Sequence, residues 1–192
     1  MSERKLTTAT SVNPIWAPSE RRANDSNMAV YLRSISEKTG QGIESYSDLY
    51  NWSLNNVEDF WESIWDLADI RHSQKYDSIL KGKDIWDAIW FDEVLLNFAE
   101  NLLRYDNDHP AIIATGESLA RKVISYKELR ILVAACAKGL KKLGVKKDDR
   151  VAAFIPNIPE AIIAMLATTS IGAIWSSCSP DFGFQSVMDR FG

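Results

Sequence analysis

The sequence predicts an α/β fold: an N-terminal, mostly helical extension followed by the first βα units of a layered, largely parallel sheet. Three observations predict it. Apolar residues recur at helical spacing within 28–35, 60–68 and 129–140. After residue 110 the pattern changes to short apolar runs, Ala111 to Ala114, Val151 to Ile155 and Ala173 to Ser177, each bounded by turn residues. Helix-length segments with their own start and stop signals separate the later runs, and strand–helix–strand–helix is the order of a parallel layer. The chain is expected to divide into an extended arm over 1–25, a helical extension over 26–109, and the start of an α/β domain over 110–192.

In the arm, Pro14-Ile15-Trp16-Ala17-Pro18 is an extended, proline-restrained segment that Trp16 is expected to anchor on the protein body. Asp25 or Ser26 caps a helix to about Lys38, with Met28, Tyr31, Leu32 and Ile35 on one side, ended by Gly40 and Gly42. Ser45 to Leu54 and Asn56 to Ile70 read as two more helices, the second with Asn56 and Asp59 in a capping arrangement. It carries Phe60, Ile64 and Leu67 on one face beside Trp61, Trp65 and Ala68. So broad a stripe is expected in a core. Lys81-Gly82-Lys83-Asp84 signals a turn, and Ile85 to Trp90 is ambiguous. A helix is expected from Val94 to Leu103, with Val94, Leu95, Phe98 and Leu102 on its apolar face.

Ala111 to Ala114 and Lys122 to Ser125 form a hairpin across Gly116. Ser125 and Glu128 make a capping box for a helix through Leu143, lined on its buried side by Leu129, Leu132, Val133, Cys136, Ala137 and Leu140. Lys138, Lys141 and Lys142 suit its negative end, and Gly144 stops it. The strand Val151 to Ile155 turns at Pro156-Asn157-Ile158-Pro159, with Pro159 in the first turn of a helix to Ser170. Gly172 ends that helix. Ala173 to Ser177 is the next strand, Pro180 stops it, and Phe184 to Phe191 starts a last helix.

Composition removes several function classes. The 192 residues are 46% hydrophobic and 25% charged, which is a globular composition, and a chain this long buries roughly 70% of its extended surface. A net charge of −4 argues against a nucleic-acid partner. Lys138 to Lys147 reads as a solvated helix end, because Asp148 and Asp149 follow at once. Cys136 and Cys178 have no metal or disulfide spacing, and His72 and His109 are isolated, so no metal site is expected. Cys136 is expected to be buried and Cys178 more exposed, and no general base identifies either as a nucleophile. No apolar leader or 18-residue apolar span occurs, so no membrane partner and cytoplasmic residence are the expectations.

Tyr126-Lys127-Glu128-Leu129, Gly144-Val145-Lys146-Lys147-Asp148-Asp149-Arg150-Val151 and Pro156-Asn157-Ile158-Pro159-Glu160-Ala161 resemble the first core segments of the AMP-forming acyl-CoA synthetase superfamily. The spacing to Ile171-Gly172-Ala173-Ile174 fits it too. Trp175-Ser176-Ser177-Cys178-Ser179-Pro180-Asp181-Phe182-Gly183 resembles the acetoacetate-activating branch, as do Pro14 to Pro18 and Asn51-Trp52-Ser53. The helical region to about residue 100 is similar to the N-terminal extension of acetyl- and acetoacetyl-CoA synthetases. The resemblance spans essentially the whole chain. It implies an incomplete adenylate-forming large domain, the N-terminal part of an acid–thiol ligase that joins acetoacetate to CoA using ATP and Mg²⁺.

The resemblance also implies what the chain lacks. The family's Ser/Thr/Gly-rich phosphate loop ending in Lys, its aromatic-Thr-Glu segment, its ribose-binding Asp and its late Lys do not occur among these residues. No catalytic residue is therefore assigned, and the segment alone is expected to be inactive and to bind ATP, Mg²⁺ and CoA weakly. Pro180, Asp181 and Phe182 stand where relatives carry a Gly-Gly-Phe that borders the CoA channel. Losing both glycines restricts close backbone approach, and Asp181 repels phosphate unless it faces away. Trp175 either shapes the CoA or acyl side of the cavity or packs as an ordinary core residue. The alternatives are another short-chain ligase, such as an acetyl- or propionyl-CoA synthetase, and a non-enzymatic helical and α/β interaction module. Open sheet edges make self-association of the segment a further expectation.

Overall fold

The computed structural model describes residues 15–117 and 120–192, so the start of the arm, including Pro14, lies outside the described residues. These residues form two compact units, the first ending at Ala68 and the second running from Asp69 to Gly192. The described part of the first unit is helical throughout. Short α1 (Glu20–Asn24) follows the arm, and α2 (Asn27–Thr39) starts where the Ser26 hydroxyl accepts the Ala29 N–H and ends at Gly40, whose φ of 65° is open to glycine at little cost. α3 (Tyr46–Asn55) has a full capping box between Ser45 and Asp48. α4 (Val57–Ala68) follows after one residue, Asn56. Asn56 does not pair with Asp59 as expected: its Nδ2 donates to the Trp52 carbonyl at 3.0 Å, so it closes α3.

Tyr31, Ile35, Ile43, Leu49 and Trp52 form the core of this unit, with Leu32, Phe60 and Ile64 packed against it. The aromatic stripe of α4 is thus only half a core. Phe60 and Ile64 are covered, whereas Trp61 and Leu67 stay largely on the surface. Met28 is likewise exposed. Trp16 is not anchored: it is 67% exposed, with the Arg22 guanidinium 5.7 Å from its ring centroid.

The second unit opens on an antiparallel hairpin that the sequence left undivided, β1 (Ser78–Lys81) and β2 (Ile89–Asp92). Gly82 makes its turn. At φ 98° an added Cβ would lie 2.4 Å from the Asp87 carbonyl oxygen. Gln74 bridges Leu95, and Glu93 sits at φ 63°, which keeps 93–96 out of a helix. α5 (Phe98–Leu102) accordingly starts four residues later than expected and is capped by Asn97. Its buried residue is Ala99, not the apolar face read from spacing.

β3 (Pro110–Ala114) and β4 (Lys122–Ser125) pair antiparallel as expected. α6 (Tyr126–Lys142) carries the Ser125–Glu128 capping box. Gly144 follows at φ 93°. β5 (Arg150–Phe154), α7 (Pro159–Ser170), β6 (Ile174–Cys178) and α8 (Phe184–Phe191) complete the order. Ala99, Ile124, Leu129, Val133, Leu166 and Ala167 make the core of this unit, so α5, β4, α6 and α7 meet on it. Leu132 is exposed instead of joining them. The Asn97 amide also donates to the Thr169 carbonyl at 2.9 Å, which ties the start of α5 to the end of α7.

β5 and β6 are parallel, in register from Arg150–Ile174 to Phe154–Cys178. Right-handed βαβ geometry with α7 as the crossover is the arrangement such a pair favours. Each has one strand partner among the described residues, and Phe154 and Ile174 are about half exposed. The two-face burial expected of parallel strands is therefore not reached among the described residues.

Candidate functional site

The carboxyl ends of β5 and β6 lie level, because the register pairs Phe154 with Cys178 and the Ile155 N–H donates to the Cys178 carbonyl at 3.1 Å. Beyond this point the chains part. One runs through Pro156, Asn157 and Ile158 into α7, whose first residue is Pro159. The other runs through 179–183 into α8, capped by the Gly183 backbone with no side-chain hydrogen bond. Divergent loops at the carboxyl ends of parallel strands are where open α/β sheets take their ligands.

Short bonds within the 179–183 loop set its shape. The Ser179 Oγ donates to Asp181 Oδ2 at 2.7 Å and accepts the Asp181 N–H at 3.3 Å, and the Phe182 N–H donates to the Ser179 carbonyl at 3.1 Å. Phe182 presents its ring to the Arg190 guanidinium from α8, with the guanidinium carbon 4.6 Å from the centroid. Pro180, Asp181 and Phe182 are all exposed. The structure brings these three together in one loop but leaves Trp175 apart from them. Trp175 pairs with Val151 three residues upstream of Cys178, which is about 10 Å back along the strand. It is half-buried.

Cys178 is buried, contrary to the expected exposure. Alternation puts its side chain on the opposite face of β6 from Trp175. Cys136 is only partly buried.

A second concavity of about 420 Å³ lies beside the Asn157–Glu160 turn, against Ala114, Thr115 and Lys122 at the turn end of the β3–β4 hairpin. Its rim carries the Lys122–Glu160 ion pair at 3.9 Å, more than half exposed on both sides and so worth little. Sequence reasoning missed Asn157 and Lys122 as lining residues, and Arg190 as the partner of Phe182. The signal for Asn157 was its place directly after a parallel strand. Arg190 had none, because its contact spans a loop and two helical turns.

Among the described residues no group of three His, Cys, Asp or Glu is placed to hold a metal ion.

Comparison with known proteins gives these features a family context. Residues 98–190 match the family described as AMP-binding enzyme, and residues 46–102 match acetyl-coenzyme A synthetase N-terminus. The chain is 40% identical to the acetoacetyl-coenzyme A synthetase of Rhizobium meliloti, over 93% of this chain and 28% of the relative. It is 35% identical to the malonamoyl-CoA synthetase of Penicillium aethiopicum, over 92% of this chain and 25% of that protein. The solved acetoacetyl-CoA synthetase of Streptomyces lividans superposes with a TM-score of 0.86 at 36% identity, covering 94% of this chain and 28% of that one. The chain therefore spans a little over a quarter of the length of these relatives.

Proposed function

We propose, from the match of residues 98–190 to the AMP-binding enzyme family and the likeness to acetoacetyl-CoA synthetases over more than nine-tenths of this chain, that it forms the N-terminal region of an acetoacetate–CoA ligase. In that reaction an acetoacetate carboxylate oxygen attacks the α-phosphate of ATP and expels pyrophosphate. The CoA thiol then attacks the acyl carbonyl of the adenylate, giving acetoacetyl-CoA, AMP and a proton. ATP and Mg²⁺ are held by residues other than those of this chain. The contribution of this chain is a floor: β5, β6 and α7 fix the level of the strand ends, and the loop carrying Pro180, Asp181 and Phe182 borders the CoA side of the cavity. Trp175 supports that floor from within β6. Cytoplasmic residence suits the water-soluble substrates, and among the described residues no helix is long and apolar enough to cross a membrane.

The observation that carries this reading is the likeness to the Streptomyces lividans enzyme over 94% of the chain, through both units. The relatives narrow the substrate class. Acetoacetate and malonamate are both carboxylates with a second carbonyl two carbons away, and they differ by a methyl against an amino group of similar size. A short β-carbonyl acid is thus the proposed substrate, ahead of acetate or propionate. The test is acid-dependent pyrophosphate release by the protein expressed with the rest of its reading frame. Acetoacetate is expected to exceed acetate and propionate by at least tenfold in kcat/KM, and equal rates with acetate would overturn the assignment. The 192 residues alone are expected to release no pyrophosphate.

A further inference from the structure

We infer that Arg190, held over the Phe182 ring, binds the 3′-phosphate of CoA; this rests on the ligase reading above. A guanidinium held over a ring face keeps edge N–H groups free to donate, and that edge matches two oxygens of one phosphoryl group. The nearby carboxylates do not occupy it. Asp181 Oδ2 accepts from Ser179 Oγ at 2.7 Å, and Asp189 Oδ1 accepts from Gln185 Nε2 at 2.8 Å. Arg190 makes no ion pair among the described residues. A permanently charged, exposed guanidinium therefore stands over the Phe182 ring beside the loop that ends β6, without an ion-pair partner among the described residues.

ATP and CoA both bring phosphates to such an enzyme, and the surroundings favour CoA. A triphosphate with its metal needs several converging donors, whereas one guanidinium matches a lone phosphomonoester. The Phe182 ring, 41% exposed, leaves apolar surface beside the charge for the adjoining nucleoside. The Ser179–Asp181 bond holds the one acidic side chain of the loop to its own backbone turn, which limits its repulsion of an incoming phosphate.

The test compares CoA with dephospho-CoA, which lacks only that phosphate, in the protein carrying the rest of its reading frame. Acetoacetate-dependent exchange of pyrophosphate into ATP is run first on the unsubstituted protein without CoA. No exchange would sink the ligase reading and this inference with it. With exchange present, Arg190→Ala is expected to raise KM for CoA at least tenfold and to leave KM for dephospho-CoA within twofold. Arg190→Lys, which keeps the charge and loses the fork, is expected to fall between. Equal rises for both thiols, no rise for either, or a rise in KM for ATP instead would each overturn the assignment. Should Arg190→Ala not fold, the unsubstituted protein decides: a KM for dephospho-CoA within twofold of that for CoA would overturn it, and a tenfold difference would support it.

Discussion

Tyr31 and Ser63 show how a single polar contact fixes the helical unit. Their hydroxyls meet at 2.6 Å in the interior, and Ser63 Oγ also donates to the Phe60 carbonyl at 2.6 Å, so Tyr31 is the donor in the shared bond. The contact joins α2 to α4, and removing it leaves Ser63 with its Phe60 partner. Tyr31→Phe is therefore expected to cost about 1 kcal/mol in urea unfolding at neutral pH. Burial pushes the Tyr31 phenol above its usual range, with Lys38 opposing that shift. A raised folded value means that the folded state holds the proton after the unfolded chain has released it. The Tyr31 contribution is then intact below pH 10 and is lost as pH rises from the unfolded value through the folded one. Stability measured between pH 9 and 11 should fall less steeply in Tyr31→Phe than in the parent chain. Matching slopes would show that Tyr31 does not titrate in the folded state as argued.

Helix α6 illustrates what is readable at the level of elements. Its start was visible in the sequence because a capping box is local. Ser125 Oγ accepts the Glu128 N–H at 3.2 Å, and Glu128 Oε2 accepts the Ser125 N–H at 3.0 Å. Ser125→Ala is expected to destabilise the second unit by about 1 kcal/mol, and Ser125→Asp to restore most of it, both read from urea midpoints. An equal loss in both variants would show that the hydroxyl acts elsewhere. The ends at Gly144 and Pro159 were legible for the same reason: each follows from the conformational limits of one residue. The hairpin β1–β2 was not, because its turn depends on Gly82 meeting the Asp87 carbonyl across four intervening residues, and neither strand alternates cleanly. Apolar spacing from Val94 fits a helix, whereas Glu93 at φ 63° and the bridge from Leu95 to Gln74 keep the segment before Asn97 out of one. The candidate site divided along the same line. The loop 179–183 was found from its own residues, and its Arg190 partner became visible only once α8 folded back on it.

At the scale of the molecule, sheet and helix faces stay bare where two-stranded pairing leaves them. The β5–β6 pair exposes Phe154 and Ile174, and α8 has no buried residue although Phe184, Met188 and Phe191 are apolar. Exposed single hydrophobes are ordinary on a protein surface, but a parallel pair is a structure that normally needs cover on both faces and both edges. Among the described residues that cover is missing, so folding gains less from burial here than chain length alone would allow. The free edges of β5 and β6 also offer unpaired backbone groups to another strand. The 192-residue chain is accordingly expected to self-associate at tens of micromolar, with a mass in sedimentation that falls toward the monomer on dilution. Phe184→Asp combined with Ile174→Asp should shift it to monomer at the same concentration, because each places a charge on the apolar surface without entering either core cluster. A stable monomer in the unsubstituted chain, unfolding steeply at high urea, would mean that the second unit satisfies its own faces, and the argument from incomplete pairing would fall.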